Sequence, residues 1–272
     1  MIYKICYTFI IIIIIITLLE FDLYNKLINN TGAEAGVVTY QKGVVTYQKG
    51  ASYKNQCLKK YKMNKCFYTL DETYPKLKLL NNNKNFKDII NEVNNVAKTN
   101  NWQDWPEYEL WNSHKNPKSK WTILPFMAFR KWHNKNIKLC PKLYNLLKTL
   151  EPNLVNAALS NLGPNTKLDN HYGWGNLSNH VLRCHLGLII PNNAFVYCRN
   201  SEHDKQDNIV KQEVQKWIVF DDSKWHSADN QDTKSDRIVL ILDMIRPEHI
   251  ETGISNVKDS EELINFVNAF NS

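Results

Sequence analysis

The segment Leu182-Arg-Cys-His-Leu-Gly-Leu-Ile-Ile190 constrains the chain more than any other. In a strand, alternate residues share a face. Leu182, Cys184, Leu186, Leu188 and Ile190 then point one way, and Arg183, His185, Gly187 and Ile189 the other. Both faces read as buried, so a guanidinium and an imidazole lie inside a β-core. A buried arginine needs an anionic partner. Arg237 opens a second strand-like run, Arg-Ile-Val-Leu-Ile-Leu-Asp, and poses the same question. Two arginines aimed at a β-core suit a small dicarboxylate, because the guanidinium fork matches a carboxylate. His171 precedes a turn and His226 follows a strand and an Asp-Asp-Ser turn. Neutral imidazoles at strand ends are a common way to hold Fe(II) with open coordination positions.

The texture around this segment sets the fold class. From Leu154, short apolar runs alternate with turn-rich polar segments: 155–159, 182–190, 195–199, 217–220 and 238–245. Strands spaced in this way indicate a β-sandwich or barrel. Upstream, Phe86, Ile89, Ile90, Val93 and Val96 recur with helical period, predicting an amphipathic helix that ends near Asn100. Pro141 to Leu150 predicts a second, with Leu143, Leu146, Leu147 and Leu150 on one face. A last helix starts near Asp259, read as its N-cap with Glu262 three residues on. Residues 56–150 are therefore expected as a mainly helical part, 151–250 as the β-core and 251–272 as a C-terminal helix. The other histidines, His114, His133, His180, His203 and His249, read as ordinary surface or core residues. Asp221 and Asp222 read as turn formers.

Ile5 to Leu19 is almost uninterrupted apolar sequence, with Lys4 the single charge before it. It is shorter than the roughly 20 residues of a usual membrane span and fits a signal anchor occupying residues 1–22. A buried N-terminal helix is the alternative, and Gly32-Ala33-Glu34-Ala35 is a later cleavage candidate. Charge placement predicts a cytosolic N-terminus and a lumenal body in the endomembrane system. Residues 23–55 read as a linker holding a tandem Val-Val-Thr-Tyr-Gln-Lys-Gly repeat, 37–43 and 44–50. The formal charge is +7, from 34 Lys+Arg and 27 Asp+Glu. The lysines are dispersed through polar segments with no basic–aromatic stripe, so a nucleic-acid partner is not expected. Of the six cysteines none forms a Cys-x-x-Cys pair, which argues against a structural zinc site. In a lumenal body, Cys57 and Cys66 are the expected disulfide; Cys184 reads as a small buried hydrophobe.

Three motifs together resemble the aspartyl/asparaginyl β-hydroxylases, Fe(II)- and 2-oxoglutarate-dependent oxygenases on a double-stranded β-helix. They are Arg-x-His-Leu-Gly-Leu-x-x-Pro (183–191), Phe-Asp-Asp-Ser-x-x-His (220–226), and Arg-Ile-Val-Leu-x-x-Asp running on to Arg-Pro-Glu (237–248). Trp105-Pro-Glu-Tyr-Glu-Leu-Trp111 and Cys140-Pro-Lys also look like the family, so the likeness covers about Trp102 to Glu248. The resemblance implies that His171 and His226 bind iron, with Gly173 where related enzymes place a metal-binding carboxylate and water completing the shell. It implies that Arg237 and Ser160 hold the distal carboxylate of 2-oxoglutarate, that Arg183 and His185 hold its iron-chelating end, and that Trp105 lines the same pocket. O2 is the co-reactant, succinate and CO2 are products, and the implied partner is a protein or peptide hydroxylated on Asp or Asn. A lipid acyl substrate at a membrane is the alternative within the class; a non-catalytic β-barrel binding module is the alternative outside it. No substrate-presenting repeats precede Trp102.

Overall fold

The computed structural model describes residues 37–41, 44–48, 63–112 and 119–271. They fall into two compact units, divided between Lys60 and Tyr61. In the first, the tandem repeat forms a hairpin. Strands β1 (Val37–Gln41) and β2 (Val44–Gln48) pair antiparallel with Thr39 opposite Thr46. The apolar run Ile5–Leu19, Cys57 and His114 lie outside the described residues. No helix among the described residues is long and apolar enough to cross a membrane.

The second unit is a jelly roll of two facing sheets with helices on one side. In chain order its elements are β3 (Phe67–Tyr68), α1 (Asn83–Val96), β4 (Gln103–Asp104), α2 (Glu109–Asn112), β5 (Trp121–Ala128), β6 (Lys131–Trp132), α3 (Pro141–Lys148), β7 (Leu154–Leu162), β8 (Thr166–Lys167), α4 (Gly175–Ser178), β9 (Val181–Ile189), β10 (Ala194–Arg199), β11 (Asn208–Lys211), β12 (Trp217–Phe220), β13 (Trp225–Asn230), β14 (Arg237–Ile245) and α5 (Glu261–Asn271). The large sheet runs β3-β12-β9-β14-β7-β5-β4, with β6 paired to β5; the small sheet runs β11-β10-β13-β8.

Both predicted helices form, and their apolar stripes build one core. Phe86, Ile89, Val93 and Val96 of α1 join Leu143 and Leu147 of α3 against Leu124 and Phe126 of β5 and Leu182, Cys184, Leu186 and Leu188 of β9. Each fully buried aliphatic side chain here contributes roughly 1.5–3 kcal/mol. The Asn82 side chain caps α1 by accepting from the Asn85 N–H. Alternation along β9 therefore sorts its residues as expected. One set meets the helices, and the set containing Arg183 and His185 faces the small sheet. A second cluster, including Trp121, Leu162, Val196, Phe220 and Ala228, joins the sheets on that inner side.

Two expectations are corrected and one is extended. The part expected to be helical, 56–150, holds α1, α2 and α3 and also supplies four strands of the large sheet, β3 to β6. β5 is buried throughout, so it shows no polar alternation, and Pro125 sits where its register with β7 shifts. The C-terminal helix is capped by Ser260, whose hydroxyl accepts from the Leu263 N–H at 3.2 Å; Asp259 instead accepts from Asn176. Cys66 is free and lies against Cys198 rather than in a disulfide, and Cys184 is fully buried.

Candidate active site

Between the two sheets lies a small, partly open cavity of about 30 Å³ whose lining includes Trp121, Ser160, His171, Arg183, His185, Phe220, His226 and Arg237. Thus six of the seven residues singled out in the sequence converge on one space. The seventh, Trp105, is absent from the lining and stacks behind Trp121 at 4.6 Å between ring centroids. Trp121 takes its place at the wall, and its Nε1–H donates to Ser160 Oγ at 3.0 Å, which leaves the serine proton free to donate. Trp121 was missed because its strand carries no alternation.

Strand pairing brings the two candidate metal histidines together. His171 and His226 are direct register partners, each N–H bonded to the other's carbonyl at 2.9 Å. Their rings lie 4.3 Å apart. His171 Nδ1 meets the Asp169 carbonyl at 2.7 Å and His226 Nδ1 the Lys224 carbonyl at 2.8 Å. A carbonyl only accepts, so both Nδ1 atoms carry hydrogen, and in a neutral ring the lone pair then sits on Nε2. Burial, with His226 adding to it, pushes the His171 imidazole down to about 3, so it stays neutral.

A carboxylate stands beside this pair, from a residue read in the sequence as a turn former. Asp222 Oδ1 lies 3.2 Å from His226 Nε2 and 2.5 Å from Arg183 Nη1. Burial raises its pKa, but Arg183 and then His226 outweigh this and hold it below the usual carboxylate range. A Cβ on Gly173 would come within 2.1 Å of Asp222 Oδ2, so Asp222 fills the space a side chain at 173 would enter. A carboxylate oxygen set against His226 Nε2 favours positive charge at that contact, either a proton on the nitrogen or a cation shared by the two. Among the described residues no group of three or more His, Cys, Asp or Glu is arranged to hold a metal alone. A metal held here would draw two protein nitrogens and take its other ligands from elsewhere. The neighbouring Asp221 is not a turn former alone either. It grips Arg246 through both oxygens, at 2.6 and 2.9 Å.

Another part of the cavity lining is cationic. Arg237 is 2% exposed and His185 5% exposed, and Arg237 Nη2 and His185 Nε2 are buried without a hydrogen-bond partner. Burial, with Arg237 and Arg183 beside it, holds His185 well below its ordinary pKa. Burial also pulls Arg237 down to about 9, opposed only by Asp229. Orphaned buried donors are rare in folded proteins. Here they fit an anionic cosubstrate. Arg183 differs: its Nε and Nη2 grip Asp243 at 2.8 and 3.1 Å, so it enters the cavity with its charge already matched. His133, His180, His203 and His249 lie away from the cavity lining, as expected.

A mainly-β jelly roll with a histidine pair and a buried arginine lining one interior cavity is the class defined by this fold and cavity. A family model described as aspartyl/asparaginyl beta-hydroxylase matches residues 83–247, more than half of the chain, and the chain belongs to that family of hydroxylases. It is 28% identical over 176 residues to aspartate beta-hydroxylase domain-containing protein 2 of Mus musculus, covering 60% of this chain and 46% of the relative. It is 31% identical over 134 residues to ornithine lipid ester-linked acyl 2-hydroxylase of Rhizobium tropici, covering 47% of this chain and 43% of the relative. The chain thus spans under half the length of these curated relatives. Among solved structures, a prolyl hydroxylase of Trichoplax adhaerens in complex with a peptide fragment superposes with a TM-score of 0.39 at 9% identity, over 60% of this chain and 79% of that one.

Proposed function

We propose that the protein is an Fe(II)- and 2-oxoglutarate-dependent hydroxylase acting on a peptidyl Asp or Asn side chain. The observation that carries this reading is the polarity of the cavity. Its wall carries two imidazoles with hydrogen on Nδ1 together with buried, unpartnered Arg237 Nη2 and His185 Nε2. His171 and His226 would hold the metal. Arg237, His185 and the Ser160 hydroxyl would hold a carboxylate of the cosubstrate, and Arg183 would anchor Asp222 beside the metal position. When bound, Fe(II), 2-oxoglutarate and O2 supply hydroxylation of an unactivated carbon, coupled to decarboxylation to succinate and CO2. The chain's own part is placement and exclusion of water by Trp121, Leu168, Val196 and Phe220 of the lining.

The family description favours a peptidyl substrate. A lipid acyl chain is the second reading, and the Rhizobium tropici relative named for lipid hydroxylation favours it. An endomembrane location behind the apolar N-terminal run is part of the proposal. The test is anaerobic titration of the full chain with Fe(II) and then 2-oxoglutarate. A visible charge-transfer band that requires both, and is absent in His171→Ala, is the expected result. A folded protein with no band overturns the reading. Mass spectrometry after incubation with an Asp/Asn peptide library or with lipid extract, looking for a gain of one oxygen, separates the two substrates.

A further inference from the structure

Gln212 follows β11 in the stretch Lys211-Gln-Glu-Val-Gln-Lys216, whose composition reads as a solvated loop. It is nevertheless 2% exposed. Its N–H donates to the Ala194 carbonyl at 2.8 Å, which carries the β11–β10 ladder one residue further and turns the side chain inward. Its Oε1 accepts from Arg237 Nε at 2.5 Å, and its Nε2 lies 3.4 Å from His185 Nδ1. One carboxamide therefore joins the two groups that form the cationic part of the cavity lining.

The chemistry of each partner fixes which way the amide points. A guanidinium only donates, so the atom facing Arg237 is the oxygen. The nitrogen then faces His185, and an amide nitrogen only donates, so His185 Nδ1 must carry a lone pair. The His185 hydrogen is thereby placed on Nε2, the buried atom that has no partner. This is the opposite tautomer to His171 and His226, whose Nδ1 hydrogens are held by backbone carbonyls. Three histidines share one cavity, yet two hold hydrogen on Nδ1 and one holds it on Nε2. Gln212 also satisfies Arg237 Nε without neutralising it. The acid nearest in effect, Asp229, is engaged by Tyr197 and Gln231 at 3.1 and 2.8 Å.

We propose that Gln212 is a positioning residue for the cationic part of the cavity lining. It holds His185 as an Nε2–H donor, excluding it from the metal, and it orients Arg237 while leaving its charge for a carboxylate ligand. The inference rests on the proposed cosubstrate for the identity of that ligand, but not for the tautomer of His185.

Gln212→Glu is the decisive change, because it is nearly isosteric and reverses both effects. The new carboxylate pairs with Arg237 and accepts from His185, moving the hydrogen to Nδ1. Gln212→Leu removes both bonds without adding charge. Long-range proton–nitrogen NMR on the metal-free full chain should report His185 as the Nε2–H form in the wild type and the Nδ1–H form in Gln212→Glu. Calorimetric titration of the Mn(II)-loaded proteins with 2-oxoglutarate should give affinity in the order wild type, Gln212→Leu, Gln212→Glu. The last should be weaker than wild type by on the order of 10- to 100-fold. An unchanged His185 tautomer in Gln212→Glu, or affinity in that variant at or above Gln212→Leu, overturns the proposal. If the wild type binds no 2-oxoglutarate, the proposed cosubstrate fails, and the NMR result alone still decides the role of Gln212.

Discussion

The two buried arginines of the cavity are held in opposite ways. Arg183 is wedged between Asp222 and Asp243, and Arg237 meets only the neutral oxygen of Gln212. Burial opposes charge on both. Asp222 and Asp243 outweigh it at Arg183 and hold that group above its ordinary range, whereas Arg237 is pulled down to about 9. A guanidinium with matched carboxylates belongs to the folded scaffold; one without them is poised for a ligand that brings its own negative charge. In the sequence both arginines share one setting, a buried strand with no visible partner. Only the tertiary structure separates them.

Substitutions sharpen this contrast. Arg183→Leu strands two buried carboxylates and should lower unfolding free energy by about 3–5 kcal/mol, read by urea denaturation. A loss below about 1 kcal/mol would mean that the carboxylates find other partners. Gly173→Ala attacks the same network from the other side, since its Cβ must displace Asp222. A cost of about 1–3 kcal/mol is expected, with weakened metal binding in a competitive chelator titration. Arg237→Leu should leave stability within about 1 kcal/mol of wild type while weakening 2-oxoglutarate binding by on the order of 100-fold. Equal losses of stability in the two arginine variants would erase the distinction.

The pH response provides the smallest effect. His185 is held well below its ordinary pKa in the folded protein and returns to about 6.5 on unfolding. Its contribution is present above about pH 6.5 and is lost as pH falls, because the unfolded chain takes up the proton first. The metal-free protein should lose up to about 1.4 kcal/mol per pH unit below 6.5 from this group. A flatter slope in His185→Gln, measured by denaturation at pH 7, 6 and 5, is the expected outcome.

Much of this arrangement was legible in the sequence, for identifiable reasons. β9 and β14 advertise themselves because a charged residue interrupts an apolar run, and alternation then sorts their faces. His226 stood out through the motif that ends on it, and His171 through the turn it precedes. β5 escaped because burial on both faces erases the period-2 signal, and Pro125 argues against a strand. β13 escaped for the reverse reason: Trp-His-Ser-Ala-Asp-Asn looks like a turn, yet its residues are polar because they line the cavity and the small sheet. Gln212 owes its role to Arg237 and His185, about 25 residues away in sequence, and Asp222 to Arg183 and Gly173 as much as to nearby His226, so no local pattern encodes either role. The hairpin of the tandem repeat was likewise hidden, because one copy gives no hint that it pairs with the other.

The contact between Gly173 and Asp222 also limits the mutational routes open to this protein. Gaining a carboxylate at 173 alone collides with Asp222, and losing the one at 222 alone leaves Arg183 short of a partner. Each single step is harmful, and only the paired change is sterically and electrostatically coherent. Selection acting one substitution at a time therefore meets a fitness valley between this two-histidine cavity and one with a third protein ligand at position 173.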